Sequence, residues 1–466
     1  RYYTIEDKIF CLGIYRRSRS CYNFISKFLL FPSFNTLNTQ LNRIPIDTGC
    51  NHIILKYLTL SASKMDLKDL YVVLAWDEMA IKPALTYDVK NDKIIGFEDW
   101  GMRRTRKFAD HAILFHIRCL ASGRKMPIGY GFCNSTTSSI QLSRCVKTWL
   151  TFLQRCGFRP KATVCDQGAA NIAAINSLIL ETRAQHFRYN RQECIVPLYD
   201  YVHLQKGVRN NLLDKYLLLN KDAKLSERKS QCASWDHIKE AYEIDRKCFQ
   251  HRRKMKKLTD NHIFPHLIPK MKVKFAVQIL SHTVADFIDI LLSLNKDGLS
   301  SIITQDSKHL TFWQEALCKL RNMEFVEKKS YKSLRRNKPK CLINWRQAIQ
   351  GAKCLWKMLQ EYGFTTLNLK YLNQDAVENF FSQIRNHGHQ NNNPTPYLFG
   401  TSFKALLTCN LTSKHSISAN CKEDKEEFSS LLNLLRIEEI ESEKDDTKDD
   451  TVECEETAIP HTDIDI

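Results

Sequence analysis

Up to residue 58 the apolar positions recur at helical spacing, and from residue 70 they gather into continuous runs. In "TIEDKIFCLGIYRRS", Thr4 is a cap and Ile5, Ile9, Leu12 and Ile14 share a face. "CYNFISKFLL" predicts a short second helix, and Ser33 caps a polar third in "SFNTLNTQLNRI". Three short helices with a proline-marked turn fit either a helix-turn-helix DNA reader or an ordinary three-helix cap.

The runs that follow predict an α/β unit. "LYVVLAWDEM" is a strand, "PALTYDVKNDKIIGF" a hairpin turning at Asn91-Asp92, and "HAILFHIRCL" a central strand. "IQLSRCVKTWLTFLQRCG" is an amphipathic helix closed by Gly157. "KATVCDQGAANIAAINSL" predicts strand, turn and helix, and "CIVPLYDYVHLQKGVRNNLLDK" a strand and a basic helix. That succession is the order of an RNase H-like sheet. From 217 to 366 the pattern becomes mostly helical and strongly basic, as an insertion would. A last helix then carries an apolar stripe (Leu372, Ala376, Val377, Phe380, Phe381, Ile384) beside a polar one (Asp375, Glu378, Ser382, Arg385). The expected organisation is a helical domain at 1–62, an α/β domain at 63–216 and 367–420 split by the insertion at 217–366, and an acidic, disordered tail at 421–466.

Charge adds a partner to this picture. The 466 residues carry a net charge of +18, yet the tail holds 17 acidic and 5 basic residues. The remaining 420 hold 64 basic and 34 acidic residues, a net of +30. Such a body points to a polyanion, nucleic acid first; a basic soluble protein without that role is the plainer alternative. The 17 cysteines show no pair spaced two to four residues apart, which excludes a CxxC zinc knuckle and suits reduced intracellular thiols. No apolar run approaches the ~20 residues a membrane helix needs. The first residue is Arg1, which reads as the start of a fragment.

Three carboxylates then stand out. Asp77 ends the first core strand, Asp166 ends the fourth, and Glu378 lies on the last helix. Two negative groups on adjacent strand ends repel unless a cation lies between them, and magnesium suits oxygen ligands. Two such ions roughly 3.5–4 Å apart can drive cleavage of a phosphodiester. Taken alone, Asp166 before "QGAAN" reads better as a helix cap. Lys206, Arg209 and Asn210 lie on one helix as candidate DNA-phosphate contacts or as a solvated basic face, and His203 beside them reads as a core histidine. Glu78, on the opposite strand face from Asp77, reads as a bystander.

The blocks "AWDEMAIKPALTYDVKNDKIIGFEDWG", "VCDQGAANIAAINSL", "DYVHLQKGVRNNLLDK", "KMKVKFAVQILSHTVAD" and "NQDAVENFFSQIRNHGHQNNNPTP" occur in this order across residues 4–410. In them the chain resembles the P-element and THAP9-like DNA transposases. The resemblance implies an RNase H-like catalytic domain interrupted by a GTP-binding insertion, and a D-D-E site at Asp77, Asp166 and Glu378 holding Mg²⁺ or Mn²⁺. It also implies transposon ends and target DNA as partners, a homo-oligomer on DNA, and the nucleus. GTP would be a cofactor, with Asp375 a candidate contact; a first-turn acid favouring the helix dipole explains Asp375 equally well. The family's zinc finger pattern is absent from this sequence, and "NKDG" at 295–298 is only an echo of a guanine motif. A working transposase and a domesticated DNA-binding descendant both follow from these residues.

Overall fold

The computed structural model describes residues 3–42, 46–89, 91–180, 186–189, 193–248, 253–285, 302–304, 309–334, 338–387 and 391–412. The acidic tail and the 295–298 stretch lie outside them. The described residues fall into two compact units, one of 3–42 with 405–412 and the other within 46–404.

The first unit holds α1 (Ile5–Arg17), α2 (Arg19–Ile25) and α3 (Phe34–Asn42). Thr4 caps α1 in a capping box with Asp7, and Ser18 caps α2 through the Cys21 amide. Cys11, Leu12, Tyr22 and Leu37 form its core. The Tyr22 hydroxyl donates to the Pro32 carbonyl at 2.6 Å, which fixes the turn into α3.

The second unit begins with α4 (His52–Ala62), expected with the first three helices. It packs instead with α5 (Ser139–Arg155), because Ile53, Ile54, Tyr57 and Leu58 are all buried. Five long strands follow: β1 (Tyr71–Ala80), β6 (His111–Cys119), β7 (Lys125–Cys133), β8 (Arg159–Cys165) and β10 (Glu193–Tyr199). Between β1 and β6 come a hairpin, β2 (Thr86–Asp88) with β3 (Lys93–Ile95), and two edge strands, β4 (Phe97–Asp99) and β5 (Arg104–Phe108). Asp92 turns the hairpin with a positive φ of 47°. With β9 (Phe187–Tyr189) the sheet runs β5-β4-β7-β6-β1-β8-β10-β9. β6 is antiparallel to β1, whereas β8 is parallel to β1 and to β10, as in an RNase H-like sheet.

β7 is the strand that the apolar pattern does not reveal. Its "KMPIGYGFC" reads as turn chemistry, yet a Cβ on Gly129 would lie 2.2 Å from the Trp149 ring. The glycine is there so that α5 can lay Trp149 against the sheet between Phe115 and Phe152.

α6 (Ala169–Leu180) and α7 (Tyr201–Asp214) complete the first part of the α/β unit. The insertion is not purely helical. β11 (Tyr216–Leu218), β12 (Cys232–Ala233) and β14 (Glu324–Val326) make a small antiparallel sheet. Around it stand α8 (Trp235–Cys248), α9 (Asp260–Ile263), α10 (Val273–Ile279) and α11 (His309–Asn322). The long α12 (Cys341–Glu361) returns to the main sheet and packs on β10, where Gly351 sits against Leu198 and Val196. β13 (Ile302–Thr304) pairs with β15 (Thr366–Asn368). α13 (Asp375–Asn386) then lies over β1, β6 and β7, and α14 (Pro396–Thr412) places Phe399 and Phe403 on Tyr130.

Candidate active site

β1 does not end at Asp77. It pairs with β6 as far as Ala80, but its parallel pairing with β8 stops at Ala75↔Val164. The sheet therefore opens beyond Ala75 on one side only, and Asp77 stands at that opening. A crevice at the carboxyl ends of parallel strands is where α/β sheets place ligands. Glu78 turns the other way and accepts the Thr137 amide at 3.2 Å, so it closes the loop before α5.

Asp166 follows Cys165, the last residue of β8. Its Oδ1 accepts the Gly168 amide at 2.8 Å and the Asn171 Nδ2 at 2.6 Å. The bond to the amide two residues on is the turn-making contact expected of a cap-like aspartate. It occupies one oxygen of the carboxylate.

Glu378 is carried by α13, whose apolar stripe (Ala376, Val377, Phe380, Phe381, Ile384) is buried, leaving the polar stripe on the other face. Its Oε1 lies 3.4 Å from Nε2 of His203, and Nδ1 of His203 lies 2.9 Å from Asp200 Oδ2. Asp200 is buried and caps α7 through the Val202 amide. His203 is thus not a plain core histidine: it links the α7 cap to Glu378. The signal in the sequence was the aspartate three residues before it, at a strand-to-helix junction.

Asp77 feels both of the other carboxylates. Burial, then the Asp166 carboxylate, push the Asp77 carboxyl up to about 7, against a hydrogen bond from the Glu78 amide and the pull of His203; Glu378 adds to the push. Burial also raises Glu378, opposed by His203. For His203 burial pulls downward, but its bond to the Asp200 carboxylate outweighs that and raises it. Among the described residues no three of His, Cys, Asp and Glu stand close enough to form a ready metal cage. The donor set nevertheless fits a hard cation. Carboxylate oxygens are its preferred ligands, and a cation would relieve the burial and the Asp166 repulsion that raise Asp77.

The basic residues of α7 separate. Lys206 is half-buried, and its charge acts on both His203 and Glu378. Arg209 does not stand with it. It is wholly buried, and its guanidinium donates to the Asn210 side chain at 2.7 Å and the Lys270 carbonyl at 2.9 Å. Asn210 donates to the same carbonyl at 3.4 Å. Both residues tie α7 to the segment before α10; Arg209 is too deeply buried to present itself to a duplex, whereas Asn210 is half-buried. Asp375 is exposed at the start of α13 and accepts Nδ2 of Asn373 at 2.6 Å, and that amide also reaches the Tyr201 hydroxyl at 3.4 Å.

Three models of one family match the chain in order: the TNP-like RNase H N-terminal domain over residues 46–179, the TNP-like GTP-binding insertion domain over 202–345, and the TNP-like RNase H C-terminal domain over 371–404. The Drosophila melanogaster transposable element P transposase is 27% identical over 430 residues, covering 86% of this chain and 53% of the relative. The human DNA transposase THAP9 is 22% identical over 304 residues, covering 63% of this chain and 32% of the relative. The chain therefore spans about half the length of the first relative and a third of the second. A Drosophila P element transposase strand transfer complex shares the fold, with a TM-score of 0.71 over 91% of this chain and 94% of that one at 22% identity.

Proposed function

The chain belongs to the P-element/THAP9-like transposase family, and from that premise we propose that it cuts and joins DNA at the crevice between β1, β8 and α13. The observation that supports this reading is topological: Asp77 stands where the pairing of β1 with β8 has stopped, Asp166 follows the last residue of β8, and α13, which carries Glu378, lies over β1. Asp77, Asp166 and Glu378 would hold Mg²⁺ or Mn²⁺, which when bound supplies Lewis-acid stabilisation of the charge that builds up on phosphate oxygens. His203 holds Glu378 at the crevice edge and Lys206 offers a positive group for a DNA phosphate beside it. The first unit, with polar α3 on its surface, is the candidate reader of DNA. The insertion is of the GTP-binding type, and Asp375 with Asn373 is the described pair that a nucleotide at that side of α13 would meet. Transposon ends and target DNA are the proposed partners, in a homo-oligomer acting in the nucleus. The test is whether the purified chain nicks or joins cognate end DNA when Mg²⁺ or Mn²⁺ is supplied. No strand cut with either cation sinks the proposal.

Two further results are expected. Because the Asp77 carboxyl titrates near 7 when folded and near 3.8 when unfolded, the folded state binds its proton more tightly. Metal-free protein should then lose stability as pH rises from about 4 to about 7 and change little from this group above it. A cation that replaces the proton should stabilise more strongly at pH 8 than at pH 5.5. Melting curves with and without Mg²⁺ check this; an equal shift at both values contradicts it. Separately, DNA affinity should fall steeply and linearly on logarithmic axes as salt rises, because phosphate contacts release counterions. A flat salt response, read by fluorescence anisotropy, removes the argument from charge.

A further inference from the structure

Gln374, immediately before α13, is fully buried, and its Nε2 donates to the Trp76 carbonyl at 2.6 Å. The Trp76 indole, also buried, donates to Asn171 Oδ1 on α6 at 2.9 Å. Asn171 Nδ2 in turn donates to Asp166 Oδ1 at 2.6 Å. The path runs from α13 to β1 to α6 to the exit of β8, and it touches all three carboxylate-bearing segments. The Trp76 carbonyl belongs to the peptide that joins Trp76 to Asp77. The Glu378 amide donates to the Gln374 carbonyl at 3.0 Å. Asp166 is bonded through its side chain.

We propose that Gln374, Trp76 and Asn171 form a brace that sets Asp77, Asp166 and Glu378 against one another, with Asn171 and Gln374 as positioning residues for the cation site. This rests on the metal-site reading above. Two features support it. Asn171 meets one donor and one acceptor, so its amide has a single orientation, and with the Gly168 amide it saturates Asp166 Oδ1 and turns the carboxylate about that oxygen. Gln374 Oε1 is buried with no hydrogen-bond partner among the described residues. A leucine would fill that space without the cost of an unmet acceptor, so the value of the residue lies in its bond to Trp76. Groups that orient ligating carboxylates commonly set metal affinity by 10–100-fold.

The test measures Mn²⁺ binding to the full chain without DNA, by the electron paramagnetic resonance of free Mn²⁺, alongside melting temperature. Asn171→Ala, Trp76→Phe and Gln374→Met should each weaken binding about tenfold. The Asn171→Ala/Trp76→Phe double variant should be no weaker than Asn171→Ala alone, because the indole acts through Asn171. Wild-type affinity with a lowered melting temperature would show that the bonds only hold the fold, and additive losses would break the chain of contacts; either overturns the brace. Gln374→Met keeps the core volume and decides the matter if Asn171→Ala or Trp76→Phe does not fold. Asp77→Asn is the control. Binding that survives Asp77→Asn overturns the metal-site reading itself, whereas binding lost there but retained in the other variants overturns the brace alone.

Discussion

Asp77→Asn, Asp166→Asn and Glu378→Gln should each reduce strand cleavage by about 10³-fold or more, with binding of end DNA retained. Each removes one negative oxygen ligand while keeping the shape of the side chain. Losing roughly 4 kcal/mol of charge stabilisation in the transition state corresponds to that factor. Asp77→Asn should also change stability in the opposite direction. In metal-free protein at pH 8 the wild type keeps an ionised, poorly solvated carboxylate beside Asp166, and the amide relieves that repulsion. The variant should be dead in cleavage and melt no lower than wild type without cation. Cleavage with any one of the three variants at near-wild-type rate would remove that residue from the site. Glu78→Gln is the neighbouring control, because Glu78 serves the Thr137 amide on the other face.

Gly129→Ala should destabilise the α/β unit by about 3 kcal/mol, the upper part of the range for overpacked cores. The added Cβ would meet two carbons of the Trp149 ring at 2.2 and 2.7 Å and the Gly49 carbonyl at 3.0 Å. The ring has nowhere to retreat, since Phe115 and Phe152 lie 5.1 and 5.3 Å from it by centroid. A fall in melting temperature of about 5–10 °C is expected for a unit of this size. Trp149→Phe in the same chain should recover part of the loss, because the smaller ring vacates the clash. An unchanged melting temperature for Gly129→Ala would mean that β7 and α5 are further apart than described.

What could be read from residues alone followed burial. β1, β6, β8 and β10 are buried along most of their length, so they appear as apolar runs in the sequence. β7 is equally buried, yet Pro127, Gly129 and Gly131 give it the composition of a turn. Its glycines answer to Trp149 and Trp100, which come from elsewhere in the chain, and no local pattern carries that information. The two- and three-residue strands of the insertion are too short to show a period. The carboxylates could be named because Asp77 and Asp166 stand at or near the end of apolar runs and Glu378 rides an amphipathic helix. Their partners could not. Trp76 meets Asn171 across 95 residues and Gln374 meets Trp76 across 298, and such pairs exist only once the sheet has formed. Arg209 misled for the same reason: a basic residue on a basic helix reads as surface until Lys270 is seen beneath it.

The insertion has a consequence for the order in which the protein is made. Glu378 is translated some 300 residues after Asp77. At the ~5–20 residues per second of ribosomal synthesis, Asp77 and Asp166 are in place on a nascent sheet for several seconds or more before the last carboxylate emerges. Until then β1, β6 and β7 lack the helix that covers them. A growing chain can fold its sheet and meet DNA, but its third carboxylate is still inside the ribosome. The insertion therefore works as a delay: on the proposed function, the site stays incomplete until α13 has been synthesised.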